Sequence, residues 1–235
     1  MQHISFKLIS IVNDVIGLFY PRICGGCDAH LMKHEQNLCL NCLHHLPKTY
    51  YWDYEVNPTE QLFWGKLKVD AACGFLHFGK DSIVQQLMHR FKYKRKTGIG
   101  RELGRQFAII LKDKQWFTDV DVIVPIPLHP SKQLRRGYNQ SDYFAEGISE
   151  VYDVPVRRKA MKRVVATDSQ TRKSRYDRSE NVEEVFQVSD LNAIRGKNVL
   201  LVDDVITTGA TLEAAGNRLL EAGAAKLYIA VIAVS

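Results

Sequence analysis

Asn198-Val-Leu-Leu-Val-Asp-Asp-Val-Ile-Thr-Thr-Gly-Ala-Thr-Leu212 joins an unbroken apolar run to two carboxylates and then to a loop of hydroxyls and glycine. Val199 to Val202 shows no alternation of polar residues, which predicts a strand of a parallel sheet buried on both faces by helices. Beyond Gly209 a helix is predicted from about Ala210 to Ala222. The first turn of such a helix leaves backbone N–H groups unpaired and carries the positive end of the dipole, and together these hold a phosphate. Thr207, Thr208 and Thr211 offer further donors, and Gly209 lets the backbone approach closely. Asp203 and Asp204 would repel a phosphate but accept hydrogen bonds from two neighbouring ribose hydroxyls. A phosphorylated ribose satisfies both halves of the stretch.

Outward from this segment, the apolar stretches Val69 to Phe78, Val120 to Ile126 and Leu227 to Val234 alternate with segments of helical period, as in parallel α/β domains. Ile83, Leu87 and Phe91 share one helical face, and Leu103, Phe107 and Ile110 another. Three regions separate by composition: residues 1–50 hold four of the five cysteines, 51–68 form an aromatic and polar connector with Pro58 in it, and 69–235 carry the α/β pattern. Near the start, Ile4, Leu8, Ile11, Val15 and Leu18 recur at helical spacing and predict an amphipathic helix ended by Pro21. Asn13 and Asp14 interrupt its apolar run and no small-residue cleavage site follows, so it does not read as a signal peptide. No stretch reaches the eighteen apolar residues needed to span a bilayer, and a cytoplasmic location is expected.

The 235 residues carry a formal charge of +6, which favours anionic partners. Half of the 32 basic residues fall in two stretches, seven from Arg90 to Arg105 and nine from Arg157 to Arg178. Either stretch alone is also what a solvated helix face would show.

Cys24-Gly-Gly-Cys27 and Cys39-Leu-Asn-Cys42 form two C-x-x-C pairs. A tight turn in each brings two thiolates onto one metal, with Gly25 and Gly26 supplying backbone freedom. Four sulfur ligands suit tetrahedral zinc or, less often, an iron–sulfur cluster. Disulfides are the competing account, disfavoured in a reducing compartment. A closed set of four ligands leaves no position for water, so the expected zinc is structural. His30, His34, His44 and His45 lie close enough in sequence to replace a cysteine, though surface histidines are ordinary in a loop-rich module. Cys73, inside an apolar strand pattern, reads as a small buried hydrophobe.

The segment from Asn198 to Leu212 resembles the signature of type I phosphoribosyltransferases, in which the acidic pair contacts the ribose 2- and 3-hydroxyls and the following loop takes the 5-phosphate. Val122-Ile-Val-Pro-Ile-Pro-Leu-His-Pro-Ser-Lys-Gln-Leu-Arg-Arg-Gly-Tyr-Asn-Gln140 resembles the pyrophosphate loop of the branch that includes glutamine amidophosphoribosyltransferase. That segment also resembles the ComF (competence protein F) group, whose members also carry a four-cysteine N-terminus. The polar and basic stretch from Arg163 to Asn181 is similar to the loop that closes over pyrophosphate in that family, with Thr167, Gln170 and Arg175 at recurrent positions.

The resemblance implies a type I phosphoribosyltransferase fold, a parallel twisted sheet flanked by helices, with a small zinc-ribbon-like module at the N-terminus. It implies Asp203, Asp204 and Arg175 as catalytic residues, and ligand contacts at Val205, Thr207, Thr208, Gly209, Ala210 and Thr211. In the second segment it implies contacts at Pro127, Lys132, Arg135, Arg136 and Gly137. The implied ligand is phosphoribosyl pyrophosphate with Mg²⁺, and zinc would sit on Cys24, Cys27, Cys39 and Cys42. As an enzyme the chain would let an incoming nitrogen base or ammonia displace pyrophosphate at ribose C1, while Arg135, Arg136 and Arg175 offset charge on the leaving group. As a binding protein it would keep the ligand site and act in natural transformation, meeting single-stranded DNA or a competence helicase through the cysteine module and the Arg90 to Arg105 patch. Type I members often form dimers, so a homodimer is a further expectation.

Three other patterns carry less. Gly98-Ile-Gly-Arg-Glu-Leu-Gly104 fails as a dinucleotide fingerprint, because its last glycine comes one residue late and Lys92 to Lys96 is no buried strand. The Asp203-Asp204 pair alone would suit a response-regulator magnesium site, but the Thr-Thr-Gly-Ala-Thr continuation suits phosphate better. Asn139-Gln-Ser141 is a glycosylation sequon only if the chain is exported. No serine or cysteine has the elbow or partner of a nucleophilic triad.

Overall fold

A computed structural model of the chain describes residues 21–163 and 186–235, which fall into two compact units divided between Leu46 and Pro47. The amphipathic helix expected before Pro21 and the pyrophosphate-closing stretch from 164 to 181, with Thr167, Gln170 and Arg175, lie outside the described residues.

The smaller unit is built from tight turns rather than long elements. Ile23 bridges His30 antiparallel, Cys24 N–H donates to Ala29 O at 2.8 Å, and Gly25 N–H donates to Asn37 O at 2.8 Å. The Glu35 carboxylate accepts from Leu40 N–H and Met32 N–H, both at 2.8 Å, and these two bonds hold it below the usual carboxylate range. A five-residue helix, α1 (Leu40–His44), closes the unit, with Cys39 at its N-cap.

In the larger unit a short 3-10 turn (Tyr51–Asp53) and α2 (Pro58–Gln61) lead into β1 (Ala71–His77). Then come α3 (Ile83–Tyr93), α4 (Gly98–Leu111), α5 (Gln115–Thr118) and β2 (Val122–Pro125). They are followed by α6 (Pro130–Arg136), α7 (Gln140–Tyr152), β3 (Met161–Arg163) and β4 (Phe186–Val188). The chain ends with β5 (Asn198–Ile206), α8 (Ala210–Glu221) and β6 (Lys226–Val234).

Four strands form a parallel sheet in the order β1-β6-β5-β2. Central β5 and β6 carry the longest apolar runs, and Val199 to Val202 and Ile229 to Ala233 are wholly buried because helices cover both faces. The predicted strands and the α8 span therefore match the observed elements within a few residues. The edge at β1 is blunted by the preceding segment, where Thr49 Oγ1 donates to Gly74 O at 2.6 Å and Asn57 Nδ2 to Ala72 O at 2.6 Å.

Helices α4 and α7 cross at van der Waals contact through two glycines. A Cβ on Gly104 would stand 2.3 Å from Phe144 O, and one on Gly147 2.0 Å from Arg101 O. The glycine run that fails as a dinucleotide fingerprint thus contributes a helix crossing. Antiparallel β3 and β4 form a separate two-stranded ribbon that pairs Arg163 with Phe186.

Candidate functional site

Strand β5 runs past its buried core and delivers Asp203 and Asp204 at its C-terminal end. Five residues later Gly209 turns the chain at φ +81°, and α8 begins at Ala210. An L-side chain is disfavoured at that φ, and a Cβ would lie 3.2 Å from the Phe63 ring. Thr208 Oγ1 accepts from Ala210 N–H at 3.4 Å. Thr207, Thr208 and Thr211 are exposed around a small cleft of about 40 Å³ that Asp203, Val205, Gly209 and Ala210 also line. An anion entering it would meet the N–H groups at the start of α8.

The two carboxylates are held differently. Asp203 Oδ1 accepts from Ser141 Oγ at 3.0 Å and from Asp204 N–H at 2.8 Å. Burial and then the neighbouring Asp204 push the Asp203 carboxyl up to about 7, against the pull of Asp204 N–H, Ser141 and Lys92. Asp204 forms an ion pair with Lys92 Nζ at 2.8 Å. Neither Lys92 nor Ser141 stands out in the sequence. Lys92 is one member of the basic run, and Ser141 closes what looks like a sequon.

Asn139, the N-cap of α7, ties the second motif to the first. Its Nδ2 donates to Ile126 O and to Asp142 Oδ1, each at 2.9 Å, which fixes the turn that presents Ser141 to Asp203. Burial raises the Asp142 carboxyl to about 6, with the Asn139 bond opposing. Gly137 caps α6 in the left-handed region at φ +80°. Arg136 is engaged by its neighbours: its guanidinium lies over the Tyr93 ring at 5.4 Å and donates to Gln140 Oε1 at 2.7 Å. Lys132 and Arg135 are exposed on α6 and make no hydrogen bond or ion pair among the described residues, while Pro127 is half-buried just after β2. The described structure therefore gathers Asp203 to Thr211 around one cleft, adds Lys92 and Ser141, and leaves Lys132 and Arg135 on a solvent-facing turn. Arg175 lies outside the described residues.

In the small unit the sulfur atoms of Cys24, Cys27, Cys39 and Cys42 all lie within 4.8 Å of one another. Backbone N–H groups of Gly26 and Cys39 point at Cys24 Sγ, both at 3.3 Å, and Cys42 N–H points at Cys39 Sγ at 3.4 Å. Burial raises the Cys24 thiol, but N–H groups from Cys39, Cys27 and Gly26 outweigh it and bring it down to about 7. Burial drives Cys39 and Cys42 up. Four sulfurs at this spacing, with amides aimed at two of them, fit a tetrahedral soft-metal site such as zinc. Cys73 is fully buried in β1, the setting of a small hydrophobe. Among the described residues no helix is long and apolar enough to cross a membrane.

Comparison with known proteins agrees with this geometry. Residues 144–234, which include the acidic pair and the α8 turn, match the family model of the phosphoribosyl transferase domain. A solved structure, glutamine phosphoribosylpyrophosphate amidotransferase from B. subtilis, aligns with 61% of this chain and 30% of its own at 19% identity. The TM-score of that alignment is 0.44. The DNA utilization protein YhgH of Escherichia coli K12 is 30% identical over 149 residues, 62% of this chain and 65% of that protein. Competence protein F of Haemophilus influenzae is 30% identical over 210 residues, 88% of this chain and 82% of its own. With so much of both chains aligned around one phosphoribosyl transferase domain, the chain belongs to the competence protein F family.

Proposed function

We propose that the chain binds phosphoribosyl pyrophosphate at the end of β5 and serves DNA uptake in the cytoplasm. The observation that carries this reading is the juxtaposition of two carboxylates with a helix N-terminus opened by a left-handed glycine. Asp204, oriented by Lys92, and Asp203, oriented by Ser141, accept the ribose hydroxyls. Thr207 to Thr211 and the first turn of α8 take the 5-phosphate. Lys132 and Arg135, free of internal partners among the described residues, face the pyrophosphate, and Arg175, outside the described residues, is a further candidate to bind it. Mg²⁺ bound with the pyrophosphate would supply charge neutralisation on the leaving group. Displacement of pyrophosphate at ribose C1 by a nitrogen nucleophile is the reaction this arrangement serves. Zinc on the four cysteines holds the small unit together, and the chain works as a homodimer.

Calorimetric titration with phosphoribosyl pyrophosphate and Mg²⁺ tests the binding step. Saturable binding is expected, and Asp204→Asn weakens it by about tenfold or more, the worth of one charged hydrogen bond. Unchanged affinity removes the acidic pair from the site. Pyrophosphate release across a panel of bases and amines then tests turnover.

A second reading is favoured by one feature. Tyr93, Lys94, Arg95 and Lys96 form an exposed aromatic and basic run at the end of α3. Such a run suits the stacking and phosphate contacts of single-stranded nucleic acid, or of a helicase engaged on it. Binding by this route falls steeply as salt is raised, through counterion release.

A further inference from the structure

At the opposite end of the sheet from the phosphate cleft lies a larger cavity, of about 670 Å³, at the start of β1 and β6. Lys226 pairs with Asn198 in the sheet, six residues before Asp204, so the two sites are separated by roughly 20 Å of strand. The volume is within the range of small-molecule sites.

Aromatic rings form part of its otherwise polar wall. Tyr51 packs against Tyr54 with ring centroids 5.5 Å apart, Trp52 against Phe107 at 6.1 Å, and Trp116 against Tyr228 at 5.7 Å. Rings already packed on one another have less freedom to lose when a ligand binds.

The charge on the walls is negative, against the sign of the whole chain. Five carboxylates line the cavity and two lysines oppose them. Both lysines are already matched: Lys114 Nζ lies 2.8 Å from Asp53, and Lys226 Nζ 3.2 Å from Asp119. Asp70 is occupied in accepting from Leu227 N–H at 2.9 Å. Glu55, Asp113 and Glu60 have no basic partner among the described residues, and only Glu60 accepts a bond, from Ala72 N–H at 3.1 Å. A phosphate ligand would meet repulsion here. A cation would meet unmatched carboxylates beside electron-rich rings, whose faces attract ammonium and guanidinium groups.

We propose that this cavity binds a small organic cation, an ammonium or guanidinium group on an apolar stem, independently of the phosphate cleft. The stem lies along the tyrosine and tryptophan rings, and the cationic head reaches Glu55 and Asp113.

The cavity supplies its own reporter. Two of the three tryptophans in the chain, Trp52 and Trp116, line it, and the third, Trp64, is 63% exposed elsewhere. In the full chain carrying Trp64→Phe, emission is followed while spermidine or agmatine is added at low ionic strength. A saturable change is expected with both amines and none with sodium phosphate. Adding Glu55→Gln and Asp113→Asn moves the midpoint up about five-fold, the combined effect of two solvent-exposed charge contacts. The proposal is overturned if neither amine changes the emission, if the double substitution leaves the midpoint in place, or if sodium chloride of equal ionic strength reproduces the change.

Discussion

Replacing Asp203 with asparagine should make the protein more stable at pH 8 while weakening its hold on ligand. The folded chain keeps the Asp203 proton up to about 7, whereas the unfolded chain releases it near 3.8. Between those values the native state binds more protons than the unfolded state, so stability falls as pH rises from about 4 to about 7 and is level above that. Over the whole interval the ceiling is about 4 kcal/mol, at 1.36 kcal/mol per pH unit. Asp203 is half-buried, and solvent screening on the cleft side brings the realised effect to about 1–2 kcal/mol. Asparagine keeps an acceptor for Ser141 Oγ and Asp204 N–H without the charge. Thermal unfolding of both proteins from pH 4 to pH 9 is the assay, and 1 kcal/mol moves Tm by roughly 2–4 °C in a domain of this size. The asparagine variant should gain on the parent steadily up to pH 7 and hold a constant lead beyond it. A lead that is absent, or equal at pH 4 and pH 8, would refute the claim that Asp203 is held uncharged at a cost to the fold.

Gly209→Ala places a Cβ at φ +81° and should cost about 1–2 kcal/mol, read as a drop in Tm, together with a loss of ligand affinity that a distant glycine substitution does not cause. Lys92→Met leaves Asp204 without its ion pair and should destabilise by about 1–2 kcal/mol, between the values for exposed and buried pairs, with the gap to the parent narrowing in high salt when both are unfolded with urea. Cys39→Ser removes one of four sulfurs, and elemental analysis should find one zinc per chain in the parent and a small fraction of that in the variant.

The parts of this fold that could be read in advance are those whose signal is local. Val199 to Val202 is apolar without alternation because both faces are covered, and that pattern together with the turn at Gly209 locates β5, the cleft and the start of α8. The C-x-x-C spacing places four sulfurs together because each pair needs only one turn to close. What escaped is non-local. Lys92 reaches Asp204 across more than a hundred residues, and nothing separates it in sequence from Lys94 or Lys96, which stay in solvent. Ser141 meets Asp203 only because Asn139 pins the start of α7 to Ile126 O. The aromatic connector likewise gave no sign that Tyr51, Trp52 and Tyr54 would form the wall of a cavity with Trp116 opposite, since that depends on how the connector docks at the edge of β1.

In the proposed function one end of β5 reads ribose while the next helix grips its phosphate. A crystal of the chain soaked with phosphoribosyl pyrophosphate and Mg²⁺ examines both at once. The 5-phosphate is expected in the turn from Thr207 to Thr211, with the ribose hydroxyls within hydrogen-bond reach of Asp203 and Asp204. A phosphate seated anywhere else, or a ribose that touches neither carboxylate, would contradict it.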